Sequence, residues 1–332
     1  MFSEEQFKLL SEATLKKTAA LGLKHAQENL PYLEKTIKDL QRELQSESKK
    51  PALVVSAGPS LHKRKSIETI KNRGFEGYIV CADGAFGHCL RSGLIPDFVL
   101  TVDPDPHRII RWFGDPRLAE RPEDDYFRRQ DLDPALNKDE FDRNEELLKL
   151  VNRFGPQVKV IISTSVSPEI ARRCRETGMQ LYWWNPLYDD YEKQDSVSRE
   201  VFKLNNVPCM VTGGNVGTSA WVFAQSILQS PDVIVVGMDC SYPPGTKAEN
   251  TQYYEHLKAI FPDDPTKGLV KIYNPHLEET WITDPGYYWY AQIFLQLVKM
   301  APGRTYNCTE GGILFGEGID FRKLSDVLAS LR

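Results

Sequence analysis

From Ala52 onward, short apolar runs that end in Gly or Asp alternate with amphipathic stretches, and few folds accept that alternation. The runs are ALVVSAG, YIVCADG, FVLTVDP, VKVIIST, QLYWW and DVIVVGMDC. Between them lie SIETIKNRG, FGHCLRSG, SPEIARRCRETG and GNVGTSAWVFAQSILQ, with helical spacing of apolar residues. Near-continuous apolar strands are expected where helices cover both faces of a parallel sheet. The predicted fold is therefore α/β: a Rossmann-like, doubly wound, mostly parallel sheet.

Residues 4–48 contain no Gly or Pro except Gly22 and Pro31, and YLEKTIKDLQRELQ reads as a surface helix. SESKKP then interrupts the pattern. The expected organisation is an N-terminal helical arm over 1–50 and a nucleotide-binding catalytic domain over 51–332. The arm either packs on the domain or supports oligomerisation through its helices. Residues 115–150 form a highly charged interruption, read as a solvated loop followed by a helix. A long segment rich in Tyr, Pro and Asp follows Asp239, and such loops at strand ends often act as lids. PGYYWYAQIFLQLVKMA and FRKLSDVLASL predict a C-terminal helical segment around the run YNCTEGGILFG.

At 332 residues and a net charge of -5, the chain gives no general reason to expect a nucleic-acid partner. No apolar segment approaches the roughly 20 residues that cross a bilayer, and the polar N-terminus lacks a signal-peptide core. The six cysteines are scattered without CxxC spacing and read as buried thiols rather than a zinc site or disulfide framework. A cytoplasmic location is expected.

In an open α/β sheet, ligands bind beyond the carboxyl ends of the strands. Five apolar runs end there in polar or glycine residues: Gly58-Pro59-Ser60, Asp83-Gly84, Asp103-Pro104-Asp105, Ser163-Thr164-Ser165 and Gly237-Met238-Asp239. Their recurrence predicts one shared polar pocket. Gly58 permits a sharp turn, Pro59 suits a first helical turn, and Ser60 either reaches a phosphate oxygen or caps the helix. TGGNVGTSA is a second glycine-rich turn: Gly213 and Gly214 permit positive φ, Asn215 can bond a ribose or base, and Gly217 and Thr218 follow in the first helical turn. It lacks the Walker A lysine and the GxGxxG spacing, which disfavours a conventional kinase or dehydrogenase. Close helix–sheet packing is its plain alternative.

Asp83, Asp103 and Asp105 can hold a divalent cation, orient ribose hydroxyls, or cap helices. Asp97 belongs to the opposite rim and reads as structural. Asp239 is a candidate general base beside Tyr242, with His256 and His276 as possible proton-transfer partners. Glu310, in YNCTEGG, is expected to face the same pocket.

SAGPSL, ADGAFGHCLRSGLIPDFVLTVDPDP, TGGNVGTSAWVFA, IVVGMDCSY and YNCTEGGILFGEGI occur here in the order found in the motility accessory factor (Maf) family, which this chain resembles. That family shares a domain with MptE-like 6-hydroxymethylpterin diphosphokinases. The Maf resemblance implies a transferase that moves a nonulosonic, sialic-type sugar from a CMP-activated donor to a protein or glycan hydroxyl, with flagellin as possible acceptor. It implies no required cofactor, a nucleotide held by Gly58–Ser60 and the 213–218 turn, and a proton taken by Asp239 or His256. Met238 and Cys240-Ser241 depart from the Maf run Gly-Gln-Asp-Leu-Ala-Tyr. The MptE-like resemblance implies pyrophosphate transfer from ATP, with Mg²⁺ positioned by Asp103 and Asp105 together with Asp83. A non-catalytic nucleotide-sugar-binding accessory protein is the third reading.

Overall fold

The structure, a computed structural model, describes residues 19–121 and 140–331. Among these residues nine strands form one sheet in the order β11-β10-β7-β1-β2-β3-β4-β5-β6. These strands are β1 (Ala52–Val55), β2 (Tyr78–Ala82), β3 (Phe98–Thr101), β4 (Lys159–Ser163), β5 (Gln180–Pro186), β6 (Cys209–Met210), β7 (Asp232–Val236), β10 (Arg304–Asn307) and β11 (Ile319–Phe321). Every pairing in it is parallel, and the α/β Rossmann-like expectation is met. The chain runs outward from β1 to β6, then returns to lay β7 against the other side of β1. This reversal leaves a crevice beyond the β1 and β7 tips, the usual ligand position in such sheets.

Alternation along each strand feeds two apolar layers. Leu53 and Val55 join one core with Ile67, Phe86 and Ile162, while Ala52 and Val54 join the other with Trp221, Phe223 and Phe294. The first layer is covered by α2 (Ser60–Lys63), α3 (Ser66–Arg73) and α4 (Asp83–Arg91). The second is covered by α9 (Val216–Ser226) and α11 (Pro285–Met300). Between them in sequence lie α5 (Ile109–Trp112), α6 (Glu140–Phe154), α7 (Pro168–Glu176), α8 (Val197–Asn205) and α10 (Tyr254–Ile260), and α12 (Leu324–Ser330) closes the chain.

The N-terminal segment is tied into this sheet. It contains a helix over 19–28 and α1 (Ile37–Glu43). Asn29, fully buried, donates to the carbonyls of Thr164 (3.0 Å) and Val166 (2.8 Å). The Trp183 N–H donates to Lys35 O at 2.8 Å, so residues 35–36 pair beside β5, and Ile37 and Leu40 enter the core. The charged interruption splits: 122–139 lie outside the described residues, and α6 forms its helical end. After β7 comes an insertion bearing α10 and an antiparallel hairpin, β8 (Val270–Asn274) with β9 (Glu279–Thr283). Among the described residues, no helix is long and apolar enough to cross a membrane.

Candidate functional site

Four of the five polar strand tips meet in one open cleft. Its walls include Gly58 and Pro59 after β1, Asp83 and Gly84 after β2, Asp103 after β3, and Asp239 after β7. Gly214, Asn215 and Gly217 enter from the start of α9. The fifth tip is engaged elsewhere: the Ser165 hydroxyl donates to Val102 O (2.6 Å), and Thr164 bonds Asn185 (2.7 Å).

The β1 turn is built around an internal anion. The Ser60 hydroxyl donates to Asp239 Oδ1, and the Ser60 backbone N–H reaches Asp239 Oδ2 at 3.3 Å. A Cβ on Gly58 would collide with the same carboxylate and with Gly237 O; one on Gly311 would collide with Ser60 Oγ, and one on Gly312 with Asp239 backbone. The TEGG turn therefore folds over the Ser60–Asp239 pair, which needs glycine at each close approach. Burial raises the Asp239 carboxyl to about 6, against the Ser60 bonds and the nearby Lys63 charge, which pull it down.

Asp83 opens α4, accepts from the Thr101 hydroxyl (2.7 Å) and the Gly84 N–H (2.7 Å), and is raised to about 7 by burial. Asp103 is exposed in the cleft wall and accepts from the Asp105 N–H at 2.8 Å. Asp105 accepts from the backbone N–H groups of His107 (2.9 Å) and Arg108 (3.0 Å), so it caps its own loop. Asp97, on the opposite rim, accepts from the Ile79 N–H at 2.8 Å.

The second turn differs. Asn215 caps α9, accepting from the Thr218 N–H at 2.9 Å, while Thr218 itself is buried beneath it. Gly213 and Gly214 hold φ of 63° and 85°. A Cβ on Gly214 would lie 2.6 Å from the Tyr290 ring.

Two other sequence candidates sit behind the cleft wall. The Tyr242 hydroxyl donates to Asp284 Oδ2 (2.6 Å), and Glu310 Oε1 accepts from the Leu324 N–H (3.1 Å), capping α12. His276 stacks on Phe321 with centroids 4.6 Å apart, away from the cleft. His256 belongs to α10, but its side chain lies outside what the structure describes.

Sequence reasoning missed the aromatic wall. Tyr287 and Tyr290, one helical turn apart at the start of α11, line the cleft with Tyr253 of the insertion, and Trp112 stands near Gly84. The Tyr253 and Tyr290 hydroxyls are 2.9 Å apart, and burial pushes Tyr253 well above its ordinary pKa. The available signal was PGYYWY directly after a capping Asp284, whose Oδ1 accepts from the Tyr287 N–H at 2.9 Å. Ser56 was missed as well: it is 6% exposed, lines the cleft, and its hydroxyl lacks a partner.

Of the three carboxylates offered to Mg²⁺, Asp105 is engaged by its own loop, Asp83 accepts from Thr101 and the Gly84 N–H, and Asp103 faces the cleft. Among the described residues no three His, Cys, Asp or Glu side chains converge as a metal site. One carboxylate fits a Mg²⁺ ion held mainly by substrate phosphates and waters.

Residues 24–111 match the family model for MptE-like 6-hydroxymethylpterin diphosphokinases, beginning within the segment read as an arm. No curated protein matches the chain by sequence. Among solved structures, a Maf glycosyltransferase from Magnetospirillum magneticum AMB-1 shares the fold, with a TM-score of 0.53 and 16% identity. The match covers 86% of this chain and 37% of that one, so the chain spans well under half of its neighbour's length. The family model thus matches the MptE-like resemblance over residues 24–111, and the solved structure shows the shared fold.

Proposed function

We propose that this chain, which matches the MptE-like family model over residues 24–111 and shares the fold of a Maf glycosyltransferase, is a transferase whose cleft holds a nucleotide-activated donor. The carrying observation is the convergence of the β1, β2, β3 and β7 tips with the start of α9 at the switch point of the sheet. The donor favoured is a CMP-linked, sialic-type sugar, and the acceptor a hydroxyl on a protein such as flagellin or on a glycan. Asp83, Asp103 and Asp239 face this cleft, and the N-termini of α4 and α9 open into it. Three carboxylates repel a polyphosphate more strongly than a single phosphodiester.

In this reading the acceptor hydroxyl oxygen attacks the sugar's anomeric carbon, and as that C–O bond forms the anomeric C–O bond to CMP breaks and CMP departs. Asp239, oriented by Ser60 and partly protonated near pH 6, takes the acceptor proton; His256 of the insertion is the second candidate. Gly58, Pro59 and Gly213–Thr218 shape the floor, Asp83 and Asp103 face the hydroxyls of ribose or sugar, and the tyrosine wall packs a ring. Tyr242 and Glu310 act from behind, by holding α11 and α12 in place. The N-terminal segment is a candidate surface for self-association.

The MptE-like match favours a second reading, ATP-dependent pyrophosphate transfer to a hydroxymethyl pterin. Asp103 would then hold Mg²⁺, which would neutralise phosphate charge. Thermal-shift measurements with CMP, CDP, AMP and ATP, each with and without Mg²⁺, separate the two. Metal-independent stabilisation by cytidine nucleotides is expected. Stabilisation only by ATP with Mg²⁺, and AMP release on adding the pterin, would replace the first reading with the second. Ligand binding without turnover of any donor would leave an accessory role.

A further inference from the structure

We propose that the donor's phosphate sits at the N-terminus of α9 and is gripped by Ser56, not by the Gly58–Ser60 turn. This inference rests on the cleft being a nucleotide site and assigns its oxyanion subsite.

The β1 turn already has its anion. Both donors of Ser60 point at Asp239, so a phosphate there would face a carboxylate across Gly58. Its helix, α2, has only four residues and contributes little dipole. By contrast α9 has eleven residues, and its first turn opens into the cleft. Asn215 satisfies the Thr218 N–H, while the N–H groups of Val216 and Gly217 have no intrahelical acceptor by position. Positive partial charge and free donors there suit an oxyanion.

Ser56 is the independent sign. Among the described residues lining the cleft, its Oγ is the buried polar atom with no partner. An unsatisfied buried hydroxyl is costly, and such groups call for an explanation. Gly217 provides one: a Cβ there would lie 2.6 Å from Ser56 Oγ, so glycine keeps the hydroxyl against the helix's first turn. Seated against Gly217, the Ser56 hydroxyl adjoins the place where an oxyanion would rest on the Val216 and Gly217 N–H groups. Tyr290, packed over Gly214, lies beside that position and offers its ring to the attached nucleoside.

The test is calorimetric titration of CMP, cytidine and a free nonulosonic acid into the wild type and into Ser56→Ala. CMP binding is expected to weaken about tenfold, the loss of one hydrogen bond to a charged group. Cytidine binding is expected to stay the same. The unliganded melting temperature should not fall, since the removed hydroxyl had no partner. Gly217→Ala should reproduce the selective loss for CMP by closing the gap. Unchanged CMP affinity in Ser56→Ala, or equal losses for CMP and cytidine, would overturn the assignment while leaving the nucleotide cleft standing. Weaker binding of the nonulosonic acid with CMP spared would give the subsite to the sugar's carboxylate and overturn it too. If neither cytidine nor CMP bound the wild type, the nucleotide reading would fall together with the subsite.

Discussion

Two glycine-rich turns bound this cleft, and they look alike in the sequence while doing opposite things in the fold. At the end of β1, Gly58-Pro59-Ser60 wraps the protein's own Asp239. At the start of α9, Gly213–Gly217 leaves first-turn donors open beside an unpartnered Ser56. A tight turn that exposes backbone N–H groups signals an oxyanion, but not whether the oxyanion is a ligand or a side chain from another strand. Which turn is filled depends on where β7 delivers its carboxylate. That depends on pairing between strands about 180 residues apart, a long-range consequence of the sheet order.

The largest effect that separates the turns is steric. In Gly58→Ala the new methyl meets both the Asp239 carboxylate and the Gly237 carbonyl, and backbone cannot swing aside. A loss of about 3 kcal/mol or failure to fold is expected, read by chemical denaturation. A loss under about 1 kcal/mol would mean that the turn is looser than the Asp239 contact requires, and the contrast would dissolve.

A smaller effect concerns charge. Burial raises Asp239 to about 6, from an ordinary value of 3.8. The folded state therefore holds this proton more tightly than the unfolded chain. Stability from the group is fully present below about pH 4 and is lost as pH rises through about 6. Asp239→Asn removes that loss. Its stability relative to the wild type should climb by about 2 kcal/mol from pH 4 to pH 7.5. Melting curves across that range check this, and a flat difference would show a carboxylate that is already solvated. Asp83 and Asp284, raised to about 7 and about 6 by burial, impose the same sign on both proteins and cancel in the comparison.

Much of this was legible before the structure, because apolar runs covered on both faces leave no ambiguity of period. Strands β1 to β5 and β7 stand where ALVV, YIVCA, FVLT, KVIIS, the QLYWW run and DVIVV placed them. The short β6, the polar hairpin β8–β9 and the three-residue β11 carry too little apolar pattern to announce themselves. The convergence of Gly58, Asp83, Asp103 and Asp239 was readable because strand ends share a rim in this topology. What sequence could not convey was partnership. Ser60 and Ser56 each stand two residues from Gly58, and only coordinates show that one hydroxyl donates to Asp239 while the other, against Gly217, has no hydrogen-bond partner among the described residues. The same holds for Glu310 and Asp105, acidic residues in loops that bond backbone N–H groups, of Leu324 and of His107, instead of lining the cleft. Tyr253 comes from the insertion while Tyr287 and Tyr290 share α11, so their meeting lies beyond any local pattern.

The smallest effect is the most discriminating for the second turn, because stability and binding should part there. Asn215→Ala removes the N-cap of α9 and leaves the Thr218 N–H without its acceptor. Cap losses of this kind cost about 1 kcal/mol, which denaturation would read directly. The open donors of Val216 and Gly217 would survive, but the frayed first turn would hold them less rigidly. CMP affinity should therefore fall by more than the cytidine affinity does. A fall shared equally by both ligands would show that Asn215 reaches the nucleoside itself. The α9 turn would then resemble the β1 turn in having its side chain, rather than its backbone, carry the recognition.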